Sequence, residues 1–143
     1  MILVDANLLI YAVDRDSPHH AHARPWLEAT LSGAEWVGLP WLAILAFLRI
    51  TTHPAVMRRP LAPDAALDYV DEWLRQPFVK PVGPGEQHWP ILQNLLKASG
   101  AAGNLTSDAH LAALAIEHGC TIASTDNDFR RFAGVTHLNP LTR

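Results

Sequence analysis

Short apolar runs alternate along this chain with longer stretches of helical periodicity, and that alternation leaves few folds open. Residues 2–4 form a brief apolar run closed by Asp5, which reads as a buried strand. Residues 36–39, 78–82, 121–124 and 136–138 read as four more strands. Between them lie helical patterns over 8–13, 40–50, 63–75, 89–98 and from 106 to just before Gly119, with a short one over 129–132. Ser17-Pro18 looks like a cap followed by a first-turn proline, opening a helix that Gly33 closes and Pro25 kinks or breaks. Thr106 or Ser107 should cap the helix before Gly119, and residues 100–104 read as a flexible loop. The Pro-rich stretch 53–63 reads as a surface loop, since neither side could bury a core alone. The expectation is an α/β protein with a largely parallel central sheet, a single domain over residues 1–143.

Charge and cysteine content narrow the function classes. A formal net charge of −3 argues against a nucleic-acid binder that works by bulk positive charge. It leaves room for an enzyme with a carboxylate site and local basic residues. The single cysteine, Cys120, permits no internal disulfide and reads as a small buried hydrophobe. No apolar run reaches membrane-spanning length, and residues 1–5 lack the pattern of a signal peptide, so a cytoplasmic protein without membrane contact is expected.

The aspartates carry the chemistry. In open parallel sheets, ligands bind beyond the carboxyl ends of the strands. Asp5 directly follows the first strand; Asp126 follows the strand 121–124, with Asp128 two positions on. Asp108 lies in a helix first turn and shares a face with Leu111, Ala112 and Ala115, so it should lean toward the strand ends. Asn7 and Ser124 flank the acids. Carboxylates brought together raise one another's pKa unless a cation relieves them, and an all-oxygen set suits Mg²⁺ or Mn²⁺. Two of these have plainer readings alone, Asp108 as a partner of the helix dipole and residues 126–128 as an ordinary turn. Asp5 is harder to dismiss, since a carboxylate ending an apolar strand is costly unless satisfied.

Three segments resemble the PIN-domain ribonucleases, in particular the VapC toxins. Met1-Ile2-Leu3-Val4-Asp5-Ala6-Asn7 is similar to the family's opening strand and first catalytic aspartate. The run from Leu105 through Asp108 to Ala115 resembles the helix bearing its third acid, and Ser124-Thr125-Asp126-Asn127-Asp128-Phe129 its closing motif. The resemblance extends essentially end to end. It implies a three-layer α/β/α PIN domain, Mg²⁺- or Mn²⁺-dependent endoribonuclease activity, a homodimer, and inhibition by a cognate VapB-type antitoxin. The antitoxin would cover an apolar groove and insert a basic residue among the acids. Metal binding is carried onto Asp5, Asp108 and Asp126, with Asp128 in support and Ser124 and Asn7 holding carboxylates or waters. One position departs from the pattern. A glutamate is usual where this chain has Ala46, so a second acid is missing and Arg49 loses a partner.

Other signals are weaker. Arg130 and Arg131 follow Asp128 closely and could contact phosphate, as could Arg49; solvated surface charge is the plainer reading of such arginines. His19, His20 and His22 read as a solvated cluster, and His110 as structural. Helix 41–50 is apolar nearly all round, which indicates full burial or an interface, and the five tryptophans read as core and interface material. Two rival functions fit less well. An aspartate-nucleophile phosphatase would want an acid where Asn7 stands and a lysine in a matching motif. A PIN fold that only binds RNA or an antitoxin draws its support from Ala46.

Overall fold

The computed structural model describes residues 1–100 and 103–142. Its N-terminal apolar run becomes the middle strand of the sheet. β1 (Ile2–Val4) pairs with β2 (Val37–Pro40) on one side and β4 (Thr121–Ala123) on the other. β3 (Val79–Val82) extends the sheet beyond β2, and β5 (Thr136–Leu138) extends it beyond β4. The order is β3-β2-β1-β4-β5, and every pairing among the described residues is parallel. Pro81 is tolerated in β3 because an edge strand need not donate outward.

Alternation along β1 sends its side chains to two separate cores. Val4 joins Leu8, Leu9, Leu27, Phe47 and Trp73 under α1 (Ala6–Val13), α2 (His20–Leu31), α3 (Trp41–Thr51) and α4 (Pro63–Leu74). Leu3 joins Leu95, Ala112, Ile122 and Phe129 under α5 (His88–Ser99) and α6 (Thr106–His118). Helices therefore cover both faces of the parallel sheet expected from the alternation, in the three-layer arrangement that the resemblance implies. Gly38 lies where the sheet is tightest. A Cβ there would sit 2.5 Å from Leu3 Cδ2 and 2.6 Å from Val82 Cγ2. Gly38→Ala should cost about 1–3 kcal/mol in a denaturant titration. An unchanged midpoint would mean that the two neighbours swing aside freely.

Several boundaries differ from expectation. α1 begins at Ala6 rather than residue 8, because Asp5 both ends β1 and caps the helix, accepting from the Ala6 N–H at 2.7 Å. Ser17-Pro18 does not open α2: Ser17 Oγ instead accepts from the His19 N–H in a turn, and the helix starts at His20. α2 runs unbroken through Pro25, held to the core by Ala23, Leu27 and Leu31. Neither Thr106 nor Ser107 caps α6, which is entered from a 3₁₀ turn, Gly103–Leu105. That turn occupies part of the expected loop 100–104, whose residues 101 and 102 lie outside the described residues. The short helix expected over 129–132 is a 3₁₀ helix, Asn127–Arg131.

The all-apolar helix proves two-sided. α3 buries Ala43, Ile44 and Phe47 but turns Trp41, Leu42 and Leu45 outward. Of the tryptophans, Trp73 is buried in the core, whereas Trp36, Trp41 and Trp89 are exposed. Cys120 is buried, as expected.

Candidate active site

The strand order explains why residues far apart in sequence meet. β1 and β4 are neighbours, so Asp5 and Ser124 emerge side by side at the carboxyl edge of the sheet. The Asp5 N–H continues the ladder to the Ala123 carbonyl at 3.0 Å. Ser124 is fully buried and acts as a hub. Its Oγ donates to Asp5 Oδ2 at 2.7 Å, and accepts from the Asp126 N–H at 3.0 Å and from Asn7 Nδ2 at 3.2 Å. One donor and two acceptor positions exhaust what a hydroxyl offers. On the backbone side, the Ser124 N–H donates to the Leu138 carbonyl at 3.0 Å, and His137 Nε2 lies 2.9 Å from the Ser124 carbonyl.

The remaining acids arrive from the next turns. Asp126 caps the 3₁₀ helix, its Oδ1 accepting from the Asp128 N–H at 2.8 Å. Asp108 leans in from the first turn of α6, half-buried, while Leu111, Ala112 and Ala115 on its face pack inward as the periodicity requires. Asp108, Asp126 and Asp128 each present an oxygen within 4.8 Å of the others. Asp5 is set beside this trio, its oxygens already receiving Ala6, Ser124 and, at 3.5 Å, Asn7. Sequence reasoning had given Asp128 a supporting part, and the geometry puts it inside the cluster.

The electrostatics follow from the crowding. Burial raises the Asp5 pKa, the bonds from Ser124 and Ala6 pull it back, Asp126 pushes it up again and His137 draws it down. Asp108 is pushed up to about 6, first by burial and then by the charges of Asp126, Asp5 and Asp128. Close by, Asn7 Oδ1 is buried without a partner among the described residues. Four carboxylates, an orphaned amide oxygen and no nitrogen or sulfur donor in the cluster form a set that fits a hard divalent cation.

The basic residues stand outside. Arg131 Nε reaches Asp128 Oδ1 at 3.6 Å from a largely exposed position, and Arg130 is exposed. Ala46 is half-buried on α3, and no acid from that helix joins the cluster. Arg49 is exposed and makes no ion pair among the described residues. His110 faces α5, its Nδ1 3.0 Å from His88 Nε2. His19 packs on Tyr11, and His20 Nδ1 lies 2.9 Å from the Tyr11 carbonyl. The contact of His137 with Ser124 was not foreseen, since a histidine in a three-residue strand carries no motif.

Comparison with known proteins gives the family of the chain. The PIN domain family profile matches residues 2–135. The chain is 47% identical over 140 residues to Ribonuclease VapC37 of Mycobacterium tuberculosis, covering 98% of this chain and 97% of that one. It is 43% identical over 141 residues to Ribonuclease VapC33 of the same organism, covering 99% of each. Among solved structures, VapBC2 from Rickettsia felis, bound to a DNA fragment from its promoter, superposes with a TM-score of 0.71 at 15% identity, covering 97% of this chain and 98% of that one. Mycobacterium tuberculosis VapC20, a sarcin-ricin loop cleaving toxin, superposes with a TM-score of 0.68 at 17% identity, covering 98% and 100%. The solved structures speak to the fold alone, whereas the profile and the full-length relatives establish descent: this chain belongs to the PIN-domain family and, within it, to the VapC group.

Proposed function

We propose that this protein is a metal-dependent endoribonuclease, the toxin of a toxin–antitoxin pair, with Mg²⁺ or Mn²⁺ held by Asp108, Asp126 and Asp128 and by the adjoining Asp5. The observation that carries the reading is the trio of carboxylate oxygens within 4.8 Å, with Asp108 pushed up to about 6. Such crowding is unfavourable for the empty fold and is relieved by a cation. The relatives named Ribonuclease VapC support RNA as the substrate.

A bound ion of this kind supplies positive charge for the scissile phosphate and lowers the pKa of a water. The chain's own residues do the rest. Asp126, fixed by Ser124 Oγ and the Asp128 N–H, positions the attacking water. Ser124 and Asn7 hold Asp5 in its rotamer. Arg130 and Arg131, exposed beside Asp128, meet flanking phosphates. Hydrolysis by water leaves a 5′-phosphate and a 3′-hydroxyl. Products ending in a 2′,3′-cyclic phosphate would contradict this route, because they require attack by the ribose hydroxyl.

A pocket away from the trio of acids bears on the partner, since none of Asp108, Asp126 and Asp128 lines it. A cavity of about 370 Å³ lies between α1, α2 and α4, with Leu27, Leu31 and Trp73 in its wall and Arg15, Arg24 and Glu72 among its charged residues. An amphipathic segment of a VapB-type antitoxin suits such a groove. The outward face of α3, with Trp41, Leu42 and Leu45, suits a homodimer contact. A cytoplasmic setting fits these partners, and among the described residues no helix is long and apolar enough to cross a membrane.

Cleavage of a structured-RNA pool in Mg²⁺, in Mn²⁺ and in chelator tests the reading. Cutting that requires metal and disappears in Asp5→Asn is expected, and it would show that Ala46 is tolerated. A folded parent that cuts nothing in either metal would overturn the proposal in favour of a binding module.

A further inference from the structure

The carbonyl of Ser124 should be an orphan. In a parallel ladder, a residue whose N–H donates to one carbonyl has its own carbonyl served by the N–H two residues further along the partner strand. The Ser124 N–H donates to the Leu138 carbonyl, so the donor for the Ser124 carbonyl would come from position 140. That residue is Pro140, which has no N–H. The vacancy falls on a fully buried residue, where an unpaired carbonyl is costly. His137 fills it from the side: its Nε2 lies 2.9 Å from the Ser124 carbonyl, and because a carbonyl can only accept, Nε2 must carry the proton. The ring is seated near buried Phe129, centroids 5.9 Å apart, which lies one residue past Asp128.

We propose that His137 is a positioning residue of the acidic site, substituting for the ladder bond that Pro140 cannot make and so fixing Ser124, whose hydroxyl sets both Asp5 and Asp126. The inference rests on the reading of that cluster as a metal-dependent hydrolytic site. The imidazole touches neither metal nor RNA in this role; it acts through Ser124. Loss of the bond frees the Ser124–Thr125 peptide, just past β4, to rotate, and a hub joined to three partners cannot rotate without disturbing them.

The test compares His137→Phe, which keeps a ring beside Phe129 but no donor, with His137→Gln, which restores an N–H. Three quantities are read in the full chain: Mn²⁺ affinity by electron paramagnetic resonance, kcat and KM for RNA cleavage, and exchange of the Asp126 amide by NMR. For His137→Phe, Mn²⁺ binding should weaken about tenfold, in the range of lost outer partners of metal ligands. Its kcat should fall with little change in KM, the Asp126 amide should exchange faster, and His137→Gln should recover part of each. A folded His137→Phe with parental Mn²⁺ affinity and amide exchange overturns the proposal. So does a His137→Gln as impaired as the Phe variant, since ring packing would then be the cause. Should His137→Phe not fold, the parent decides: a slowly exchanging Nε2 proton on His137 supports the bond, and its absence sinks it. A parent that neither binds Mn²⁺ nor cuts RNA brings down the nuclease reading before any variant is made, and the Asp126 amide still decides His137.

Discussion

Asp108→Asn is expected to lower metal-dependent RNA cleavage by at least about a hundredfold, the scale of losing one preorganised electrostatic contact to the transition state. The same change should leave the fold as stable as the parent, or more so. In the parent, ionising Asp108 beside Asp126, Asp5 and Asp128 costs the metal-free fold about 1 kcal/mol once solvent screening is allowed for. The sign fixes the pH window. Below the ordinary aspartate value of 3.8, the proton sits on Asp108 in folded and unfolded chains alike. As pH rises toward about 6, the unfolded chain releases its proton first, so the fold loses stability across that interval, and above it the loss is complete. Asparagine has no proton to lose. Melting curves in chelator should therefore show the variant gaining on the parent between pH 4 and pH 6, roughly the interval set by the two values. A variant that cuts RNA normally, or that is markedly less stable at neutral pH, would contradict the placement of Asp108 among like charges.

Ser124→Ala should be the most damaging change outside the acids. It deletes the donor to Asp5 Oδ2 and the acceptor for the Asp126 N–H and Asn7 Nδ2, in a fully buried position. Groups left unpaired there should cost about 1–3 kcal/mol of stability. Cleavage should fall about 10–100-fold, in line with other losses behind a metal ligand. Asp5, no longer held by the hydroxyl, would rise further in pKa because burial would act with less opposition. Threonine keeps the hydroxyl, so Ser124→Thr, if it folds, should retain more activity than alanine. Equal rates for the two variants would show that the hydroxyl matters less than the space it fills.

Much of this was legible in the chain itself. β1, β2 and β4 are short apolar runs, and the alternation along β1 sends Leu3 and Val4 to opposite cores. β3 and β5 carry Lys80, Pro81, Thr136 and His137, and α6 is buried nearly all round from Leu111 to Ala115. The spacing of Asp108 from Leu111, Ala112 and Ala115 placed it on a helix face that packs inward, and Asp108 lies beside Asp126 and Asp128. Local reading failed where one residue does two jobs. Asp5 was read as an acid of the site, and its second part as the cap of α1 shifted that helix by two residues. Ser17 lost its expected part to a tighter turn, since a hydroxyl can serve the first amide it meets. The order of the strands, which puts Ser124 against Asp5, is not written in any local pattern. Nor was the contact of His137, which exists only because β5 lies beside β4 and Pro140 falls two residues past Leu138.

The central place of β1 also dictates when catalysis becomes possible. The bond between Asp5 and Ser124 spans 119 residues, so during synthesis Asp5 emerges long before the residue that holds it. A nascent chain that has not yet released β4 has three of the five strands and lacks Ser124, Asp126 and Asp128, whatever its helices have done. Pairings of such long span are entropically late steps in folding. A chain folded only through its first three strands therefore carries Asp5 without Ser124, Asp126 or Asp128, the groups that would make it part of a site.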